Sequence, residues 1–137
     1  MILGIDDAGR GPVIGPMILA GVLLTKEQEK IMKENNIRDS KTVTQSSRLV
    51  MEKLIKEHSV AYKIVQASPE LIDGSLTSGI NLNKLEAKMV AKIINSINKE
   101  LKEKITDLEY RLVTVETIQH THSRKHRMIE TGKSYAK

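Results

Sequence analysis

The sequence predicts an α/β fold in which a mixed sheet is flanked by helices, and three observations support this prediction. Apolar or alternating segments typical of strands occupy residues 2–5, 13–24, 59–67 and 109–118. Helix start signals and one long apolar stripe at helical spacing lie between them. The order of these segments indicates one sheet covered by helices rather than an all-α or all-β domain.

The first two strands are predicted to pair as an antiparallel hairpin. Residues 2–5 form a short apolar run that ends at Asp6 and Asp7. Residues 8–12 follow as a loop, because this segment contains two glycines and a proline. Two strands joined by a tight glycine-rich loop most simply pair antiparallel.

Three short helices are predicted from their first residues. Thr25 and Gln28 have the spacing of a capping box, in which each side chain accepts a hydrogen bond from the other residue's backbone amide. Thr44 is a suitable cap for a second helix, to about residue 57. Ser68 precedes a proline in the first helical position, which predicts a third helix that Gly74 ends.

The clearest helix is predicted over residues 83–104, and the last strand over residues 109–118. The helix carries an apolar stripe of Leu85, Met89, Ile93, Ile97 and Leu101. The strand is predicted from alternating side chains, and Glu116 lies near its end as Asp6 and Asp7 lie at the end of the first strand.

Composition excludes several classes of protein. The chain has 137 residues, enough for one domain, and no cysteine, so disulfide scaffolds, zinc ribbons and thiol nucleophiles are excluded. Its only aromatic residues are three tyrosines, which argues against proteins that bind single strands by stacking bases. The longest apolar run is too short to span a membrane and no signal peptide is evident, so we expect a cytoplasmic protein with no membrane association.

Positive charge is concentrated at the end of the chain. The formal net charge is +5, and residues 120–137 alone contribute +4 of it. We therefore divide the chain into a domain over residues 1–119 and a basic tail over residues 120–137. A polyanionic partner suits this charge distribution but is not required by it.

The candidate metal ligands are carboxylates. Asp6 and Asp7 could turn toward one cation where their strand ends, and Glu116 could join them from a neighbouring strand end. Oxygen ligands without cysteine suit Mg²⁺ or Mn²⁺. The alternative is that Asp7 caps the turn while Asp6 and Glu116 face water.

The candidate substrate-binding residues lie in two loops. Gly9, Arg10 and Gly11, here called the glycine loop, lack the spacing of dinucleotide or Walker A motifs. They could still bring backbone amides close to a sugar–phosphate, although an ordinary hairpin loop has the same composition. Ser40 and Lys41 lie in a polar loop, where Lys41 could contact a phosphate or be merely solvated.

Taken together, the motifs resemble those of a known family. Residues 4–16, Gly-Ile-Asp-Asp-Ala-Gly-Arg-Gly-Pro-Val-Ile-Gly-Pro, closely resemble the opening motif of type 2 ribonucleases H (ribonuclease HII), particularly the archaeal branch. Residues 38–41 resemble the family's second motif, and residues 81–86 resemble the start of its long helix. The resemblance covers residues 1 to about 104 and extends weakly to Glu116.

The resemblance implies a ribonuclease H-like fold and an endonuclease. Its substrates would be RNA–DNA hybrids or DNA with embedded ribonucleotides, cleaved by two-metal hydrolysis with Mn²⁺ or Mg²⁺. Asp6, Asp7 and Glu116 would hold the metal ions, with Asp7 standing where the family usually has glutamate. The glycine loop would read the ribose 2′-hydroxyl, and Ser40 and Lys41 would contact the backbone. No obligate protein partner is implied.

The end of the chain departs from the family pattern. After Glu116, the sequence lacks a fourth carboxylate motif and the C-terminal helical region that the family carries. We therefore expect the C-terminal part of the fold to be missing. The alternative function is a catalytically inactive remnant that binds hybrids or DNA without cleaving them.

Overall fold

The computed structural model describes residues 1–10 and 15–133, and the side chains of these residues up to 119. The chain forms, in order, β1 (Ile2–Ala8), β2 (Met17–Leu24), α1 (Lys26–Glu34), a short 3₁₀ turn (Ser40–Thr42), α2 (Gln45–His58), β3 (Ala61–Ala67), α3 (Pro69–Thr77) and α4 (Leu82–Lys133). The predicted α/β class is confirmed.

The three strands form one antiparallel sheet in the order β1-β2-β3. The predicted hairpin of the first two strands is confirmed, with Asp7 opposite Leu19 and Asp6 opposite Ala20. On the other side of β2, Leu19 faces Val65. β2 is therefore the central strand, and its odd-numbered residues share a face with Asp7, whereas its even-numbered residues share a face with Asp6.

The core lies between the odd-numbered face of the sheet and the start of α4. Its largest fully buried side chains are Met17, Leu19 and Ile93. A methyl group built on Gly21 would collide with the Cγ2 atom of Ile93, so the absence of a side chain at Gly21 lets the helix approach the sheet closely. Four of the five residues of the predicted apolar stripe are buried: Leu85, Met89, Ile93 and Ile97.

Local signals account for the starts of the short helices. The capping box of Thr25 and Gln28 is present in both directions, at 3.2 Å and 2.9 Å. Thr44 and Ser68 each accept a hydrogen bond from a backbone amide in the first turn of their helices, as predicted. The prediction that Gly74 ends α3 was wrong, since the helix continues to Thr77.

The strand predicted over residues 109–118 is wrong, because α4 continues through this segment as a helix. No proline or glycine interrupts residues 82–131, so nothing in the sequence ends the helix there. A strand needs a neighbour to satisfy its backbone, whereas a helix satisfies its own. Thr114 and Thr117 adapt to the helix, since their hydroxyl groups donate to the carbonyl oxygens of Tyr110 and Val113.

The chain divides into two compact units, Met1–Glu100 and Leu101–Lys137. The first contains the sheet, the short helices and the buried part of α4. In the second, the described side chains of α4 are exposed almost throughout. The domain boundary expected at residue 119 stays a prediction of the sequence. Among the described residues, none of the helices combines the length and apolar character needed to cross a bilayer.

Candidate nucleic-acid and metal site

Asp6 and Asp7 lie within β1 rather than beyond its end, because the strand continues to Ala8. Their side chains therefore extend from opposite faces of the sheet. The Asp6 side chain is exposed, and its Oδ1 atom accepts a hydrogen bond from the backbone amide of Asp7 at 3.0 Å. Asp7 is half-buried on the face that carries the core. The expectation that both carboxylates turn toward one cation at a strand end is not met by this geometry.

The oxygen donors fit Mg²⁺ or Mn²⁺ in kind but not in number. The exposed Asp6 carboxylate is the type of ligand that these ions prefer. However, the described part of the chain contains no group of three or more histidine or acidic side chains that could hold a metal ion. The described residues can thus contribute ligands to a divalent-ion site but do not form a complete one.

The glycine loop follows β1 directly, and its first residue must be glycine. Gly9 has φ +82°, a backbone conformation that other residues rarely adopt. A Cβ atom at this position would lie 2.5 Å from the carbonyl oxygen of Pro16. The loop backbone therefore passes unusually close to the residue that leads into β2. Gly11, the third predicted loop residue, lies outside the described residues.

Arg10 does not extend freely from the loop but contacts the first two turns of α4. One guanidinium nitrogen lies 3.3 Å from a carboxylate oxygen of Glu86, and the other terminal nitrogen donates to Oδ1 of Asn83 at 2.5 Å. Glu86 follows Leu85 in the sequence and so lies at the edge of the apolar stripe. The spacing of Asn83 and Glu86 places both on one helix face, but no sequence signal brings residue 10 to that face.

A hollow of about 180 Å³ lies beside the glycine loop. Gly9, Arg10, Asp73 and Leu82 are among the residues that line it. Asp73, from α3, was not singled out in the sequence, because nothing in its neighbourhood distinguishes it from a solvated helix residue. The hollow adds a carboxylate to the surroundings of Arg10.

The second loop reaches the face of the sheet that carries Asp6. Arg38 and Ser40 line a groove of about 250 Å³ together with Ala20, which lies opposite Asp6 in the sheet. The loop is held by Asp39, whose carboxylate accepts the Lys41 backbone amide at 2.9 Å. Among the described residues, no carboxylate lies within ion-pair distance of the Arg38 or Lys41 side chain. Arg38 is thus available to a polyanion in the groove, and Lys41, the residue after Ser40, is exposed.

Helix α2 forms the other wall of this groove. Lys56 lines the groove and lies 2.5 Å from Glu52 on the preceding turn. The hydrogen bond from Lys56 to Glu52, together with the negative charge of Glu52, raises the pKa of Lys56. Arg48 also lines the groove, and no described carboxylate pairs with it. Arg48 therefore supplies the positive charge of this wall, because Lys56 is paired with Glu52, which also lines the groove.

Glu116 lies on α4 in the second compact unit. The placement of this residue at a strand end, on which its role as a third carboxylate was based, is wrong. Its side chain is exposed. A contribution of Glu116 to metal binding stays a prediction.

The sequence profile of a known family, Ribonuclease HII, matches residues 3–135. Curated relatives with the same name include a protein of Nanoarchaeum equitans, 42% identical over 105 residues, which are 76% of this chain and 48% of the relative. Another, from Sulfurisphaera tokodaii, is 41% identical over 97 residues, which are 71% of this chain and 44% of the relative.

A solved structure has a similar fold. The crystal structure of the ribonuclease H2 from Pyrococcus horikoshii matches with a TM-score of 0.63 and 28% identity, over 69% of this chain and 43% of that one. The chain thus spans about half the length of the relatives it matches. Since the family profile covers nearly all of the sequence, this chain belongs to the ribonuclease HII family.

Proposed function

We propose that this chain is a ribonuclease HII-type endoribonuclease that acts by two-metal phosphodiester hydrolysis. Its substrates would be RNA–DNA hybrids or DNA with embedded ribonucleotides, bound in the cytoplasm. The observation that carries the proposal is the glycine loop, held in a conformation that requires glycine directly after the strand that bears Asp6. Glycine backbone amides without a Cβ can approach a ribose closely enough to read its 2′-hydroxyl.

The charges around Asp6 support a nucleic-acid substrate. Arg38, Arg48 and Ser40 line a groove on the face that Asp6 shares, and Lys41 lies exposed beside it. Unpaired cations on one face form the electrostatic footprint expected for phosphate contacts. We propose that Ser40 and Lys41 contact the backbone of the duplex, while Gly9, Arg10 and Gly11 form the ribose-reading loop.

Asp6 is the proposed carboxylate for a divalent ion, Mn²⁺ or Mg²⁺. Such ions activate water and stabilise the leaving oxygen in phosphodiester hydrolysis. Asp7 and Glu116 remain proposed ligands, but the described geometry places Asp7 on the other face of the sheet from Asp6.

A second candidate function is binding of the same duplexes without cleavage. The absence of a three-carboxylate cluster among the described residues favours it, because two-metal hydrolysis depends on several carboxylates in fixed positions. Binding through the glycine loop and through the cations of the groove beside α2 does not depend on that cluster.

Incubation with labelled duplexes separates the two candidates. A duplex with one embedded ribonucleotide and the same duplex in DNA alone are incubated with Mn²⁺ or Mg²⁺, and nicked strands are separated on a denaturing gel. The nuclease proposal predicts a nick at the ribonucleotide that requires the metal ion. Salt-sensitive binding of the ribonucleotide duplex without a nick would instead support the second candidate. Absence of both would contradict the proposed function.

A further inference from the structure

Arg10 is held by two side chains of one helix face. Its guanidinium group contacts Glu86 at 3.3 Å and Asn83 at 2.5 Å, through different terminal nitrogens. These two residues lie three positions apart, so they form a single surface on the first two turns of α4. The planar fork of arginine suits two directed contacts through different nitrogens, whereas a lysine would have to make both contacts from a single nitrogen.

The ion pair with Glu86 offsets the positive charge of Arg10 that a phosphate contact would use. The Arg10 side chain is 44% exposed, and the Glu86 side chain is 26% exposed. Glu86 thus accompanies Arg10 with an opposite charge, unlike Arg38, for which no described carboxylate is within ion-pair distance. An arginine that contacts phosphate directly gains nothing from an adjacent carboxylate, which repels the same phosphate.

The loop needs a constraint of this kind. Glycine residues have more conformational freedom to lose on folding than any other residue, so a contact from outside helps to hold a segment that begins with Gly9. Arg10 is the described residue of the glycine loop with a side chain, and that side chain reaches α4. A recognition loop that is fixed before binding loses less entropy on binding.

We propose that Arg10 and Glu86 are positioning residues that fix the start of the glycine loop, Gly9 and Arg10, to α4, with Asn83 completing the contact. The loop main chain, rather than the charge of Arg10, then distinguishes a ribonucleotide from a deoxyribonucleotide. This inference rests on the proposed function for its role in recognition, but the contact itself can be tested independently of it.

Affinity measurements distinguish a positioning role from a phosphate contact, because the two roles predict different effects of Glu86→Gln on duplex binding. Fluorescence anisotropy gives the Kd of the ribonucleotide duplex and of the all-DNA duplex, in EDTA and at several salt concentrations. For Glu86→Gln and Arg10→Lys we expect the ratio of the two affinities to fall by about three- to tenfold, the value of a hydrogen bond. The double variant should lose no more than either single variant, since both remove the same contact.

Other outcomes would overturn the proposal. If Arg10 contacts phosphate, then Glu86→Gln strengthens binding of both duplexes. In that case Arg10→Gln also reduces the slope of log K against log salt by about 0.9. An unchanged affinity ratio in both single variants would overturn it as well. Glu29→Gln is the matched control, because it removes an exposed ion pair, 2.6 Å from Lys33, that lies outside the site.

A spectroscopic measurement separates failure of this inference from failure of the proposed function. The ¹⁵N relaxation of the Arg10 Nε–H signal, assigned by its loss in Arg10→Lys, reports the mobility of the side chain without any nucleic acid. We expect a rigid Nε–H group in the natural chain and a mobile one in Glu86→Gln. Equal mobility in both would overturn the positioning role. If the Nε–H group is rigid but the chain binds both duplexes equally, the contact between Arg10 and Glu86 is supported and the proposed function is contradicted.

Discussion

Replacement of Asp6 by asparagine is expected to lower metal-dependent nicking by more than about a hundredfold, since loss even of an outer partner of a metal ligand costs about 10- to 100-fold. The substitution keeps the shape of the side chain and removes its charge. It also retains the oxygen that accepts the Asp7 backbone amide, so the fold of β1 should persist. Gel analysis of the ribonucleotide duplex measures the rate, and electron paramagnetic resonance of free Mn²⁺ measures ion binding without substrate.

Two further variants make this result specific. Asp107→Asn removes an exposed carboxylate from α4 and should leave both the nicking rate and Mn²⁺ binding unchanged. Asp7→Asn should reduce Mn²⁺ affinity less than Asp6→Asn, because Asp7 is half-buried on the opposite face of the sheet. Mn²⁺ binding that is equal in the natural chain and in Asp6→Asn would contradict the assignment of Asp6.

Replacement of Gly9 by alanine is expected to lower the free energy of unfolding by about 1–3 kcal/mol, the usual range for backbone strain of this kind. Two causes act together at this position. The backbone has φ +82°, and the added methyl carbon would lie 2.5 Å from the Pro16 carbonyl oxygen, so the loop or the start of β2 must move. Urea denaturation followed by circular dichroism measures the change. The affinity for a ribonucleotide duplex should fall toward that for all-DNA duplex.

Other glycines serve as controls for the two causes. Gly15 also has a positive φ, +120°, but a methyl group there meets no atom within 4 Å, so Gly15→Ala tests backbone strain without a collision. Gly74 lies inside α3 with equally open space, and Gly74→Ala should raise the free energy of unfolding by about 0.5–1 kcal/mol. A Gly9→Ala variant as stable as the natural chain would contradict the observed loop geometry.

The sequence was informative wherever a local rule determines the structure. The capping box at Thr25, the proline after Ser68 and the hairpin of β1 and β2 follow from interactions between residues that are close in sequence. The apolar stripe predicted the buried face of α4 because burial follows the helical period. These elements contain most of the first compact unit.

The errors have physical causes of two kinds. Alternation over residues 109–118 predicted a strand, but an uninterrupted run of helix-compatible residues continues α4 without any need for a partner strand. The end of β1 was placed at Asp6 and Asp7 because the apolar run stops there, although a strand can carry polar residues wherever its backbone remains paired, as it does through Ala8. The paired backbone keeps the side chains of Asp6 and Asp7 on opposite faces of the sheet.

The contact between Arg10 and Glu86 could not be predicted from the sequence. It joins residues far apart in the chain, and its formation depends on how closely α4 packs on the sheet above Gly21. The groove that brings Arg38 and Ser40 to the face of Asp6 likewise depends on the position of α2. Motifs predicted the residues of the candidate site, whereas packing determined which of them share a surface.

The central claim is that the glycine loop of this chain recognises a ribose within a duplex. The most direct test is the Kd of the natural chain for a duplex with one ribonucleotide, compared with the same duplex in DNA alone, in EDTA so that no strand is cut. The account predicts that the ribonucleotide duplex binds about three- to tenfold more tightly, as one additional hydrogen bond to the 2′-hydroxyl would give. Equal affinities for the two duplexes would contradict it.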